Sequence, residues 1–175
     1  MEKTGYAALA AFLLCASAAA SETQATLHRL SVEGEAETVG TVLFADTEHG
    51  LLITPDLRGL EPGGAHGTHI HTKPACGARP KHGRMMVGAA AGAHYDPADT
   101  GQHTGPYGEG HLGDLPNLIA EANGEATISV LAPRLTVADL KGRSIMIHSA
   151  PDHYNDYGDP HHGKGGVRMY CGVID

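Results

Sequence analysis

NLIAEANGEATISVL, residues 117–131, sets two short runs of apolar and β-branched residues on either side of Asn123-Gly124. Asn-Gly between such runs is the strongest short-range signal for a β-hairpin. The apolar residues alternate as Leu118, Ala120 and Ala122, then as Ala126, Ile128 and Val130. A two-residue turn would put these two sets on opposite faces, so an odd-length loop or a bulge is expected there. Comparable short runs recur along the chain at 38–44, 51–54, 67–71, 144–148 and 167–173. Several short strands separated by turn residues predict an all-β sandwich or barrel. Residues 135–140 read as one short helical turn. Two segments, about 72–114 and 149–166, lack strand periodicity, and both are rich in histidine. Loops of that length in a compact domain are functional or disordered, so something must hold these in place.

The 175 residues carry 12 Lys+Arg against 20 Asp+Glu, a formal charge of −8, together with 13 His. The length supports one ordinary domain with its own core. An acidic chain without a basic block is a poor nucleic-acid binder, because neutralisation of phosphates by Lys and Arg dominates that affinity. Residues 7–16 are ten consecutive apolar residues, too few to span a bilayer, which takes about 20. Followed by Ser17 and Ala18-Ala19-Ala20, they read as a secretory signal peptide over 1–20, cut after Ala18 or Ala20, with the domain over 21–175. A buried N-terminal helix and a lipid-anchored Cys15 are the alternatives. Cleavage leaves Cys76 and Cys171, and two cysteines in an exported chain favour one disulfide over two free thiols.

His69-Ile70-His71 lies in an expected strand. Side chains at i and i+2 share a face, so both imidazoles can reach one ion. A surface or hydrogen-bonded pair is the plainer reading. His148 ends another expected strand, where a satisfied core histidine is the plainer reading. The middle segment adds His94, His103, His111 and Asp114 among glycines 101, 105, 108, 110 and 113, which let the backbone fold around a small ion. Three imidazoles and a carboxylate suit tetrahedral zinc, whereas an all-imidazole set suits copper.

These residues sit in a series of motifs: AHGTHIH at 65–71 with Cys76, GAHYDP at 92–97, TGQH at 100–103, GHLGDLP at 110–116, MIH at 146–148, and Arg168 followed by CGVI at 171–174. In order and spacing the chain from about residue 37 resembles the copper–zinc superoxide dismutases, most nearly the exported bacterial branch. The resemblance implies a Greek-key β-sandwich or flattened eight-stranded barrel with two long metal-organised loops. It implies one copper held by His69, His71, His94 and His148, and one zinc held by His94, His103, His111 and Asp114. His94 would bridge the two ions and carry a proton in the cycle, Asp152 would link His69 to His103, Arg168 would dock the anion, and Cys76–Cys171 would be the disulfide. The implied reaction converts superoxide to dioxygen and hydrogen peroxide in the periplasm, with no membrane contact after signal cleavage.

The charge of −8 should repel an anionic substrate, so attraction must be local, at a channel where copper and Arg168 focus the field, with Lys73 and Lys164 as contributors. Two departures from the family pattern stand out: Gly67-Thr68 in place of Gly-Phe, and Ser149-Ala150-Pro151 in place of a glycine-rich start after His148. Six histidines are used as ligands. His28, His49, His66 and His82 read as solvated or hydrogen-bonded loop residues, while His153, His161 and His162 cluster as a candidate accessory metal-capture site. A metal-buffering protein on the same scaffold is the competing function, against which Arg168 and Asp152 argue. A zinc hydrolase lacks a general base. The sequence leaves the oligomeric state open, a homodimer included.

Overall fold

A computed structural model describes residues 21–81, 83–155 and 165–175. The expected signal peptide over 1–20, His82, and Tyr157, His161, His162 and Lys164 lie outside the described residues. Among the described residues are eleven strands: β1 Glu22–Leu30, β2 Glu35–Thr47, β3 Gly50–Leu57, β4 Gly64–His66, β5 Thr68–His71, β6 Arg79–Lys81, β7 Arg84–Met86, β8 Leu118–Ala120, β9 Val130–Ala132, β10 Ser144–His148 and β11 Arg168–Val173. The only helical elements among the described residues are 3-10 turns at Ala89–Ala91 and Val137–Leu140, the latter within the expected 135–140 turn. No helix among them is long and apolar enough to cross a membrane.

Seven strands form one sheet in the order β5-β10-β11-β1-β2-β3-β9, and β4 pairs with β8. Backbone bonds join the two pieces into a ring. Leu57 and Ala126 exchange N–H···O bonds of 3.2 and 3.0 Å, and the Glu121 amide donates to Glu125 O at 2.7 Å. On the other side the amide of Leu115 donates to Thr68 O at 3.1 Å and that of Ile70 to Gly113 O at 2.8 Å. Since only Gly67 separates β4 from β5, they act as one arm, and the ring is a flattened eight-stranded barrel. The chain crosses over β8 and β9 between β3 and β4, and crosses back between β9 and β10, which makes the topology a Greek key.

Inward residues fill the barrel in strict alternation where the strand is regular: Leu51, Ile53 and Leu57 on β3, Ile145 and Ile147 on β10. β2 breaks the alternation, burying Val39 as well as Val42 and Phe44. A register shift between Leu27 and His28 in the β1–β2 ladder resets the phase. Gly40 lies at that bulge with φ +133, and a Cβ there would come within 2.1 Å of Asp56 O.

The Asn123-Gly124 turn forms with three residues between the paired Glu121 and Glu125, the odd length the alternation requires; Gly124 has φ +78. Its two arms do not continue as one ladder, however. β8 leaves to pair with β4 and β9 with β3. Residues 127–129 between them are not strand, so Ile128 is 51% exposed instead of facing the core. The segment 72–114 is also less irregular than expected, containing the β6–β7 hairpin. All six hairpin residues are exposed, so no core-facing alternation marks them.

β5 and β10 position the site. Thr68 and Ile70 point inward, so His69 and His71 point out of the barrel; Met146 pairs with His69 in the register, and His148 is the next outward residue on β10. The described residues of 72–114, with 149–155 and 165–167, cover this outer face. The Cys76–Cys171 disulfide ties the first of them to β11, packed with Met146 and Ala91. Where the family pattern has an aromatic, Thr68 is fully buried and its hydroxyl donates to His66 O at 3.1 Å.

Candidate metal centre

The outward faces of β5 and β10 bring His69, His71 and His148 together, and the covering loop adds His94. One ring nitrogen from each of these four lies within 4.8 Å of the corresponding atoms of the others. In three of the rings the second nitrogen is fixed. His71 Nδ1–H donates to Gly92 O at 3.0 Å, His148 Nδ1–H donates to Gly166 O at 3.0 Å, and His69 Nε2–H donates to Asp152 Oδ2 at 2.5 Å. Those bonds settle the tautomers and leave a lone pair on His69 Nδ1, His71 Nε2 and His148 Nε2. None of these three buried atoms has a hydrogen-bond partner. Buried polar atoms are rarely left so, and three convergent imidazole lone pairs fit a soft or borderline cation.

Asp114 organises a second group. Its Oδ1 lies 3.0 Å from His94 Nδ1 and 3.4 Å from His111 Nδ1, and its Oδ2 lies 2.9 Å from His103 Nδ1. All three rings thus turn Nδ1 toward one carboxylate, the mixed donor set zinc takes. The ligand atoms of His69, His94, His103 and Asp114 lie within 4.8 Å of one another, a group in which His69 stands where the sequence led to His111. His69 stacks on His94 with ring centroids 3.8 Å apart, which is how it enters both groups. Asp152, 3% exposed, receives His69 Nε2–H through Oδ2 and His103 Nε2–H at 2.7 Å, so one carboxylate spans the two groups.

The electrostatics follow this division. Burial and the neighbouring imidazoles hold His69 and His71 well below the usual histidine range, and burial takes His148 down to about 3. His94 is lowered mainly by burial, against the pull of Asp114. Burial also acts to lower His103, but its bonds to Asp114 and Asp152 outweigh that and raise it to about 9. Burial acts to raise Asp114, yet His103 and His94 hold it well below the ordinary carboxylate range. The first group is therefore a set of neutral donors at neutral pH, ready for a cation. The second is a carboxylate that ionises easily among histidines.

Arg168 lies beside the first group. Its Nη atoms donate to Gly88 O at 2.6 Å and Gly92 O at 2.7 Å, so it shares the Gly92 carbonyl with His71. Burial lowers its pKa from the ordinary arginine value, and a guanidinium remains charged at neutral pH. It lines a pocket of about 320 Å³ with Lys81, Met86 and the backbone around Gly92.

All seven ligands expected from the sequence, together with Asp152 and Arg168, fall in this one region. His153 is exposed. Three residues escaped notice as part of the site. His66, 3% exposed, has Nδ1 2.7 Å from the carbonyl of His148 and Nε2 3.1 Å from that of Glu61. Asn117 clamps Asp152, accepting its N–H at 2.9 Å and donating to its carbonyl at 3.1 Å. Arg134 reaches the loop that carries His103 and His111. AHGTHIH pointed at His66; nothing local marks the other two.

Comparison with known proteins gives this geometry its family. The model for copper/zinc superoxide dismutase (SODC) matches residues 38–174. The chain is 42% identical over 168 residues to superoxide dismutase [Cu-Zn] 2 of Salmonella typhimurium, covering 95% of this chain and 96% of that one. The structure resembles Cu/Zn superoxide dismutase from Brucella abortus, with a TM-score of 0.85 and 40% identity over 89% of this chain and all of that one. It also resembles the monomeric copper, zinc superoxide dismutase from Salmonella enterica, with a TM-score of 0.77 and 42% identity over the same shares. With the ligand geometry and the whole-length match in agreement, this chain belongs to the copper/zinc superoxide dismutase family.

Proposed function

We propose that His69, His71, His94 and His148 hold copper, that His94, His103, His111 and Asp114 hold zinc, and that Arg168 docks the substrate anion. The activity is superoxide disproportionation: two superoxide anions and two protons yield one dioxygen and one hydrogen peroxide. Bound copper supplies the one-electron redox change, and bound zinc supplies a fixed charge without redox chemistry of its own. The protein supplies the geometry. His94 commits Nδ1 to the Asp114 side, which leaves Nε2 as the atom that takes up and releases a proton. Asp152 fixes the rings of His69 and His103 together, so the two ligand groups keep one mutual orientation. Arg168, braced by the carbonyls of Gly88 and Gly92, presents a fixed positive charge beside His71.

The observation that carries the reading is the trio of unpartnered buried nitrogens on His69, His71 and His148, each with its opposite ring nitrogen fixed. The test combines metal analysis with superoxide turnover. His148→Ala should lose copper and activity together. Arg168→Ala should keep both metals yet turn over at least about tenfold more slowly, with a weaker salt dependence. Normal activity in the His148 variant defeats the copper assignment, and an inactive but fully metallated parent favours metal buffering.

Residues 1–20 act in this reading as a signal peptide that delivers the chain to the periplasm, a compartment in keeping with the Cys76–Cys171 disulfide. N-terminal sequencing of the exported protein tests it, with Ser21 or Ala19 as the expected first residue. Sedimentation of the purified protein separates a homodimer from the monomeric state named for the Salmonella enterica relative.

A further inference from the structure

We propose that Arg134 is a positioning residue for zinc: its guanidinium clasps the loop that carries His103 and His111 into ligating shape before the ion arrives. This rests on the zinc assignment above. Residues 101–113 are glycine-rich and form no strand; within them the amide of His111 donates to Gln102 O at 2.8 Å and that of Gly110 to Thr104 Oγ1 at 2.6 Å, and Arg134 adds bonds from outside the loop. Arg134 leaves the barrel wall two residues after β9, next to Leu135, which is 1% exposed. Its root is therefore rigid.

From there every guanidinium nitrogen donates to the loop. Nε reaches Pro106 O at 3.1 Å and Nη1 reaches Gly110 O at 3.2 Å. Nη2 reaches Gly105 O at 3.3 Å and His111 O at 2.8 Å. These carbonyls belong to two separate stretches, 105–106 and 110–111, on either side of the exposed tip at Tyr107. Joining them closes the tip into a ring, with the backbone of the ligand His111 in the ring itself. Arg134 makes no ion pair among the described residues, so its hydrogen bonds there are all to these carbonyls.

The chemistry requires arginine. A planar fork of N–H donors can meet four carbonyls from two stretches at once, whereas the three N–H bonds of a lysine radiate from one atom and cannot span them. Holding a flexible loop in its bound form removes an ordering cost that the ion would otherwise have to meet, and this appears as affinity.

The experiment compares the purified parent, Arg134→Ala and Arg134→Lys. It uses competition with a zinc chelator, the visible spectrum of the cobalt(II)-substituted site, and urea unfolding of the metal-stripped protein. Zinc binding should weaken about 10- to 100-fold in the alanine variant, the usual range for a group that orients ligands. The lysine variant should lose nearly as much while its urea midpoint stays close to that of the parent. The intense absorption of tetrahedral cobalt(II) should fall in both. Zinc affinity within threefold of the parent in the lysine variant overturns the proposal, because charge and stem would then suffice without the fork. A parent that binds zinc unaffected by His111→Ala overturns the zinc assignment, and this inference with it.

Discussion

Replacing Asp152 with alanine tests the two-group arrangement at its narrowest point. The carboxylate is 3% exposed and accepts from His69 Nε2–H at 2.5 Å, from His103 Nε2–H at 2.7 Å and from the amide of Tyr154 at 2.9 Å. The variant therefore takes from His69 Nε2–H and His103 Nε2–H the bonds they make to this carboxylate. A hydrogen bond to a charged partner contributes about 1.5–3 kcal/mol, and losing an orienting partner costs roughly 10- to 100-fold in metal affinity. On the proposed assignment His69 holds copper and His103 holds zinc, so copper and zinc should each weaken by that factor. Chelator competition for each metal measures it. Asp152→Asn should fall between parent and alanine, since one amide oxygen cannot serve both rings as well as a carboxylate does. The reasoning is refuted if Asp152→Ala binds both metals within threefold of the parent, or if only one metal is affected.

Two further outcomes follow from the same geometry. In the metal-stripped protein, His69, His71 and His148, the last at about 3 against an ordinary 6.5, stay neutral when folded while the unfolded chain takes up protons. Stability should therefore rise with pH between about 3 and 6.5. His103, raised to about 9, works in the opposite sense: its contribution is full below 6.5 and is lost as pH climbs through 9. Urea midpoints across pH 4 to 10 should thus peak near 6.5, and a level profile below that pH contradicts the account. Separately, the Cys76–Cys171 bond joins residues 95 apart in sequence, worth about 4–5 kcal/mol in the chain-entropy model. Urea unfolding with and without reductant should differ by that order, and a loss below about 1 kcal/mol shows that the bond constrains little in the unfolded chain.

How much of this was legible in the sequence depended on the range of the interactions. β3 and β10 could be read because their inward residues alternate without interruption. β6 and β7 could not, because a fully exposed hairpin carries no such pattern. β1 offers only Ala25 and Leu27 to the core among polar neighbours, too little apolar periodicity to announce a strand. At the site, the period-2 geometry of His69 and His71 was legible locally, and the motif series supplied the other expected ligands. The supporting residues act across the fold: Arg134 on a carbonyl 28 positions away, Asn117 on Asp152 35 away, and His66 on His148 82 away. A backbone carbonyl as partner leaves no mark on side-chain identity, so nothing in the sequence pairs these positions.

The acidic balance of the chain also changes meaning once the site is built. Interactions between exposed charges fade beyond about 8 Å at physiological ionic strength, so the total of −8 says little about what an anion meets at the pocket. Lining that pocket is Arg168, whose Nη atoms are braced by the carbonyls of Gly88 and Gly92 and which forms no ion pair among the described residues. A guanidinium held by dipoles keeps its full charge for a ligand, whereas one paired with a carboxylate would not. Lys81, also lining the pocket, is exposed and adds to the same field. Asp and Glu, the residues usually invoked to hold an arginine, would cancel that charge, and at Arg168 backbone carbonyls take their place.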